Sequence, residues 1–368
     1  KAHKINHIRG TATFRDNHTL QITPLEGDPY SLGFEQAIIA TGAKPATLPV
    51  TRTKSTAIMH SSGALEMKDV PGHLLIIGGG YIGLEMATIY HMLGSKISLV
   101  ELTKDLMPGL DADLVREYKK QNEELFEKLM LETKVNQIKE KGKKLEVQFK
   151  NREKEFSHTY DKILVAVGQV PNSSNLGLNH TDVKVNGKGF IETNAEQRTA
   201  EAHIFAIGDV AGPPLLAHKA SYEGRVAAEA AAGKKSASDA RAIPAVVYTD
   251  PEIATTGLSE NEAKARDIPY KTVKFAWKAA GRAVAMHAGN GFTKLLIDPA
   301  SERILGAGII GKHAGDLIPE LTLAIEMAAT AEDVALTIHP HPTLSETIME
   351  AAELYYGHPT HTYARKRK

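Results

Sequence analysis

The stretch Leu74-Leu-Ile-Ile-Gly-Gly-Gly-Tyr-Ile-Gly-Leu-Glu85 decides the fold. An apolar run feeds Gly78-x-Gly80-x-x-Gly83, and a helical pattern begins at once. The order strand, glycine turn, helix is the context in which this spacing carries meaning. Gly78 permits the tight turn, Gly80 lets a pyrophosphate approach the backbone, and Gly83 lets helix and strand pack closely. The helix start then offers free N–H groups and partial positive charge to phosphates.

Working outward, Tyr81 to Leu93 reads as the helix, Gly94 as its C-terminal cap, and Lys96 to Leu102 as the next strand. Glu101 closes that strand, 18 residues past Gly83. A carboxylate at about that distance accepts hydrogen bonds from the adenosine ribose and would repel a 2′-phosphate. The motif therefore predicts NAD rather than NADP. Asp111 to Lys128 reads as a charged amphipathic helix. Leu129 to Val135, Lys144 to Lys150 and Lys154 to Tyr160 read as strands, and Asp161 to Gly168 as a buried strand ending in glycine.

Two further segments end in the same manner. Phe34 to Gly42 is an apolar strand closing on Thr41-Gly42, and His203 to Asp209 closes on Gly208-Asp209. Ligands bind at the carboxyl ends of strands in open α/β sheets, so these two ends read as halves of a second ligand site. Beyond residue 243, strands alternate with turns. Ser259-x-x-Glu262 reads as a capping box, and helices follow around 313–328, 331–338 and 343–356. That pattern predicts an α+β domain.

Near the end stands Ile338-His-Pro-His-Pro-Thr-Leu-Ser-Glu346. Prolines on both sides of His341 hold the segment extended. An imidazole titrates near pH 6.5 and, oriented by a carboxylate such as Glu346, gives or takes a proton. Thr343-x-x-Glu346 is also a capping-box pattern, so Glu346 has a structural reading beside the chemical one. Pro340 between His339 and His341, with no third ligand near, argues against a metal site.

Composition limits the alternatives. The chain has 368 residues, 42% hydrophobic and 24% charged, with 44 basic and 44 acidic side chains. That length predicts two or three domains, and the balanced charge argues against a nucleic-acid binder. The run Arg365-Lys-Arg-Lys368 reads as a solvated tail. No apolar stretch is long enough for a membrane span, no secretory signal opens the sequence, and the reducing cytoplasm is the expected compartment. There is no cysteine, and the chain opens at Lys1 inside a strand-rich stretch, which reads as a fragment.

Taken together, Ala40-Thr-Gly42, Gly78 to Glu85, Val165-Ala-Val-Gly-Gln-Val-Pro-Asn172, Phe205 to Asp209, Leu216-Ala-His-Lys219 and His341 to Glu346 resemble the flavin-dependent disulfide oxidoreductases. Among these, the chain looks like the C-terminal part of a bacterial dihydrolipoamide dehydrogenase. The resemblance implies a Rossmann-like NAD domain at 50–178, parts of an FAD domain at 1–49 and 179–240, and a dimerisation domain at 241–368. It implies NAD contacts from Gly78, Gly79, Gly80, Tyr81, Ile82, Gly83, Leu84, Glu85, Glu101, Val135 and Gly168. FAD contacts are implied for Gly10, Thr41, Gly42, Ala43, Asp209, Leu215, Leu216, Ala217 and His218. His341 is implied as the acid/base with Glu346, acting at the dithiol of a second subunit, and the implied partners are dihydrolipoamide and the lipoyl acyltransferase of 2-oxo-acid dehydrogenase complexes.

The departures from the family are as informative. The first FAD glycine motif and the Cys-x4-Cys disulfide are missing, Gln169 stands where Arg is commoner, and Pro340 stands where a small residue is commoner. Without thiols there is no disulfide exchange, so these residues alone are expected to be inactive. Without the first FAD βαβ unit the pyrophosphate site lacks its helix N-terminus, so FAD is expected to be held weakly or not at all. Two other readings remain open. A flavoprotein transhydrogenase would need no redox disulfide, and a dimeric interaction fragment would need no chemistry. A glutathione-reductase-like enzyme is disfavoured, because it would want Arg near Glu101.

Overall fold

The structure, a computed structural model, describes residues 4–51 and 55–363. The basic run at Arg365–Lys368 lies outside them. Two compact units share the chain: residues up to Pro45 with Gln169–Asp239, and Ala46–Gly168 with the residues from Ala240 onward.

In the larger unit, five parallel strands are ordered Ile58–His60, Lys162–Val165, His73–Ile77, Lys96–Val100 and Phe126–Met130. Val165, Ile77, Val100 and Met130 sit in register, so the strands end together at one edge. The three central strands are buried on both faces, which is why they read as continuous apolar runs. Helix Tyr81–Met92 follows the glycine turn, and Gly94, at φ +101°, ends it as expected. An antiparallel meander, Lys134–Lys141, Lys144–Lys150 and Glu155–Tyr160, packs Val147, Phe149 and Tyr160 onto the other face with Leu75 and Ile77.

One sequence expectation fails here. The helix expected over Asp111 to Lys128 runs only over Ala112–Gln121. The Asn122 side chain bonds the Tyr118 carbonyl at 3.1 Å and ends it, and Phe126–Met130 is drawn into the sheet beside Lys96–Val100.

The rest of this unit is a five-stranded antiparallel sheet, ordered Ala245–Val247, Glu252–Gly257, Ile304–Gly311, Phe292–Ile297, Lys271–Ala276. Helices Ala314–Glu326, Ala331–Leu336 and Glu346–Tyr356 bury Ile318, Leu321, Ile348 and Ala351 in one core with Leu295 and Ile309. Ser259 does form the capping box read from the sequence. Across residue 241, Val247, Ile253 and Ile310 share a core with Leu84, Leu114 and Tyr118.

A buried ion cluster spans the same junction. Lys294, 1% exposed, donates to Asp111 at 2.5 Å, Asp113 at 2.9 Å and Glu260 at 3.2 Å, and Lys274 pairs with Asp113. Burial would lower the Lys294 ammonium, but the Asp111 and Asp113 carboxylates outweigh it and raise its pKa. These three acids lie close enough to hold a metal ion, and the Lys294 ammonium already bonds all three.

The smaller unit carries an antiparallel sheet of Gly10–Phe14, Thr19–Pro24 and Tyr30–Gly33. It also holds a parallel pair, Ala37–Ile39 with Ile204–Ala206, an antiparallel pair, Ala43–Pro45 with Gln169–Pro171, and helix Ala217–Ala231. Phe14, Ile39, Ile191, Ile204 and Val210 form its main core. The boundary with the larger unit falls after Gly168 rather than at 178, because Gln169–Pro171 pairs with Ala43–Pro45.

Candidate active site

The glycine turn divides its work as the spacing suggests. Gly78 sits at φ +111°, and a Cβ there would lie 2.3 Å from the Ala166 carbonyl oxygen, so conformation and space both demand glycine. A Cβ on Gly83 would lie 2.1 Å from the Gly78 oxygen, which is the close helix–strand packing. Gly80 faces open space, and no side chain caps the helix that starts after it. The first-turn N–H groups are thus available to an anion.

Glu101 stands just past its strand with three hydrogen bonds. Oε2 accepts from Gly79 N–H at 2.7 Å; Oε1 accepts from Thr103 N–H at 2.8 Å and its hydroxyl at 2.9 Å. The carboxylate is held at the edge where the parallel strands end, with accepting capacity left on Oε2. These features fit the adenosine half of NAD.

The remaining residues of that expected set divide by burial. Tyr81 and Ile82 are half-buried on the first turn, whereas Leu84 is core. Glu85 accepts from Tyr248 N–H at 2.9 Å; burial raises its pKa, and that one bond opposes the rise. Gly168, at φ +113°, is exposed beyond strand Lys162–Val165. Val135 packs with Val100 and Phe149, leaving only its backbone for a ligand.

In the smaller unit, Ile39 pairs with Ala206 on the parallel strands, so Thr41-Gly42 and Gly208-Asp209 emerge side by side, as the sequence suggested. The Thr41 hydroxyl donates to the Asn172 carbonyl at 2.8 Å, and Asn172 N–H donates to the Gly42 carbonyl at 2.9 Å. This clamp also fixes Ala43, which pairs with Pro171. Asp209 lies in a short 3-10 turn, Gly208–Val210, rather than on the strand. A buried pair beneath it, Lys219 and Glu223 at 2.7 Å, holds the loop: Glu223 accepts from Gly208 N–H and Lys219 donates to the Gly212 carbonyl.

Leu215 and Leu216 lead into helix Ala217–Ala231, whose start is likewise uncapped by a side chain, with Ala217 and His218 exposed. This arrangement fits the ribityl side of FAD. Gly10 has a local reason of its own, since a Cβ there would lie 2.4 Å from the Thr23 carbonyl oxygen.

His341 and Glu346 meet as expected. His341 Nδ1 lies 2.8 Å from Glu346 Oε1, and Thr343 N–H donates to Oε2 at 2.8 Å. The imidazole is 67% exposed and the carboxylate 13%. Burial would raise Glu346, but the Thr343 N–H and the His341 ring outweigh it and hold its pKa below the ordinary carboxylate value. An ionised Glu346 can only accept, so Nδ1 carries the proton and Nε2 of the neutral ring carries the lone pair.

The capping box read at Thr343 is half made. Its hydroxyl donates to the Pro340 carbonyl, and the helix begins only at Glu346. His339 is occupied elsewhere, with Nε2 on Glu320 and Nδ1 on the Thr337 carbonyl, both at 2.8 Å.

Sequence reasoning missed two acids that shape these sites, Glu223 and Glu350. Both stood in plain view as charges on the apolar face of a helix, Glu350 between Ile348 and Ala351.

Comparison with known proteins places this geometry in a class. Residues 1–224 match the family described as "Pyridine nucleotide-disulphide oxidoreductase", and residues 243–352 match its dimerisation domain. The chain belongs to this family of flavoprotein disulfide oxidoreductases. It is 44% identical to the dihydrolipoyl dehydrogenase of Haemophilus influenzae over 357 residues, 97% of this chain and 74% of that protein. It is also 44% identical to the Vibrio cholerae dihydrolipoyl dehydrogenase, covering 100% and 78%.

Among solved structures, LpdA from Mycobacterium tuberculosis superposes with a TM-score of 0.85 at 25% identity, covering 95% of this chain and 75% of that one. The flavoprotein disulfide reductase RclA from Escherichia coli gives 0.86 at 25%, covering 95% and 79%. The resemblance and the fold class read from the sequence are borne out, and FAD and NAD are the cofactors of the dihydrolipoyl dehydrogenases it matches. Among the described residues no helix is long and apolar enough to cross a membrane.

Proposed function

We propose that this chain carries the NAD site, the ribityl side of the FAD site and the acid–base residue of a dihydrolipoyl dehydrogenase serving 2-oxo-acid dehydrogenase complexes. The observation that supports this most is the exposed His341 ring fixed by Glu346 at 2.8 Å. When bound, FAD and NAD supply the electron and hydride transfer. The residues of this chain bind, orient and move protons.

The uncapped start of helix Tyr81–Met92 receives the NAD pyrophosphate, and Glu101 accepts from the adenosine ribose. Thr41, Gly42 and Asp209 hold the flavin's sugar chain at the two adjacent strand ends. His341 Nε2 takes the proton from a thiol of dihydrolipoamide. The thiolate so formed is the nucleophile of disulfide exchange, and Glu346 stabilises the imidazolium.

The exchanging disulfide needs cysteines, and this sequence has none, so the 368 residues by themselves are expected not to oxidise dihydrolipoamide. A second copy of the chain is the partner for the dimerisation domain, and the lipoyl acyltransferase is the partner of the assembly, in the cytoplasm.

Calorimetry of NADH with these 368 residues tests the nucleotide site. Saturable binding is expected, weakened about tenfold or more (~1.4 kcal/mol) by Glu101→Lys; a chain that binds no NADH would overturn the assignment. In the protein as its cell makes it, His341→Gln is expected to cut dihydrolipoamide oxidation by about 10²–10⁴ with NADH binding retained. Undiminished turnover would remove His341 from the chemistry. The absence of cysteine favours, as a second reading, a thiol-free transhydrogenase, for which that variant would keep full NADH-to-NADP exchange.

A further inference from the structure

One cluster of titratable groups beside His341 has no part in the mechanism above. Glu350 lies one turn beyond Glu346 on the last helix, and its side chain is 1% exposed. A buried carboxylate at that position requires a partner. Its partner comes from the segment after the helix. His361 Nδ1 pairs with Glu350 Oε1, and His361 N–H donates to Oε2 at 3.3 Å.

The two histidines face each other. Their rings are parallel within 10°, with centroids 6.5 Å apart. His341, Glu346, Glu350 and His361 line one small pocket with Phe275, Ala280 and Gly281, which carry no charge. Glu353, the next acid along the helix, is turned to the backbone N–H of Thr360. Lys271, on the strand packed against the helix, sits over the Tyr355 ring. Among the described residues that line this pocket, the charged groups facing His341 are therefore Glu346, Glu350 and His361.

We propose that His361, anchored by the buried Glu350, is a positioning residue for His341: the second pair backs the first and sets its proton affinity. The role of His341 in turnover rests on the functional reading above, whereas the coupling of the two pairs does not. A protonated His361 cancels the field of Glu350 at the His341 ring. Replacing His361 by a neutral amide leaves the Glu350 charge uncompensated, and His341 then holds its proton to higher pH.

The test is NMR titration of the His341 imidazole in the 368-residue chain, so that no turnover is needed. For unit charges at this separation and an effective dielectric of 20 to 80, His361→Gln is expected to move the His341 midpoint upward by about one pH unit. The double variant His361→Gln with Glu350→Gln is expected to return it to the wild-type position. Glu350→Gln alone, which leaves a protonated His361 uncompensated, is expected to move it downward and serves if the first unfolds. A His341 midpoint that stays within about 0.2 unit of wild type in the single variants would overturn the proposal.

In the protein as its cell makes it, the pH profile of dihydrolipoamide oxidation is expected to shift with the titration. A titration that moves while turnover proves independent of His341 would uphold the coupling and sink the functional reading instead.

Discussion

Two histidines separated by a single proline meet carboxylates at the same distance, and only one is equipped for chemistry. His339 reaches Glu320 and His341 reaches Glu346, each at 2.8 Å. The His339 side chain is 5% exposed and both its ring nitrogens are engaged, one by Glu320 and one by the Thr337 carbonyl. His341 is 67% exposed, and its Nε2 makes no hydrogen bond to a described residue. A carboxylate neighbour therefore does not define an acid–base residue. What defines it is an oriented ring with one nitrogen left over for a substrate.

The comparison breaks most readily at His341, where Gln is expected to cost the 10²–10⁴-fold in turnover given above while leaving the melting temperature within a few degrees. If turnover instead follows His339, the distinction fails. Glu346→Gln comes next. It keeps the shape but loses the charge that stabilises the imidazolium, and about a 100-fold loss in turnover is expected, with NADH binding unchanged by calorimetry.

His339→Gln should do the opposite of His341→Gln. A loss of about 1–2 kcal/mol in urea unfolding is expected for its buried bonds, with full turnover. The smallest effect is in the acid limb of stability. Glu346 titrates below its unfolded value, so its contribution is present above the ordinary carboxylate pKa and fades as pH falls through the folded value. Glu346→Gln should remove that slope, and an unchanged slope would mean that the His341 and Thr343 bonds do not form in solution.

The glycine turn and the strand that follows it were legible because their requirements are local. Gly78 and Gly83 are fixed by a turn and a close approach inside the motif, and Glu101 by the end of the next strand, 18 residues past Gly83. The two strand ends at Thr41-Gly42 and Gly208-Asp209 were legible for the same reason. What brings them together, the pairing of Ile39 with Ala206, is a long-range fact that composition could not give.

Elsewhere, tertiary demand overrode local pattern. The charged stretch after Gln121 has helical periodicity, but the sheet needed Phe126–Met130. Val135, expected at the nucleotide, packs its side chain into the core and leaves only its backbone to a ligand. The shared core of Leu114 with Ile310 joins two sequence-separated segments that composition had suggested were independent domains. His361 was illegible as a site residue, since its partner Glu350 is a helical turn of context away from any motif.

The Lys294 cluster bears on how such proteins can be recombined. Lys294 and Glu260 belong to the C-terminal segment, while Asp111 and Asp113 sit at the start of helix Ala112–Gln121 in the nucleotide-binding segment. A chimera joined near residue 240 inherits the ammonium from one parent and two of its three counter-charges from the other. Unless the donor supplies acids at both positions, the graft strands a fully buried cation. Compatibility between relatives is thus decided at two aspartates far in sequence from either cofactor motif.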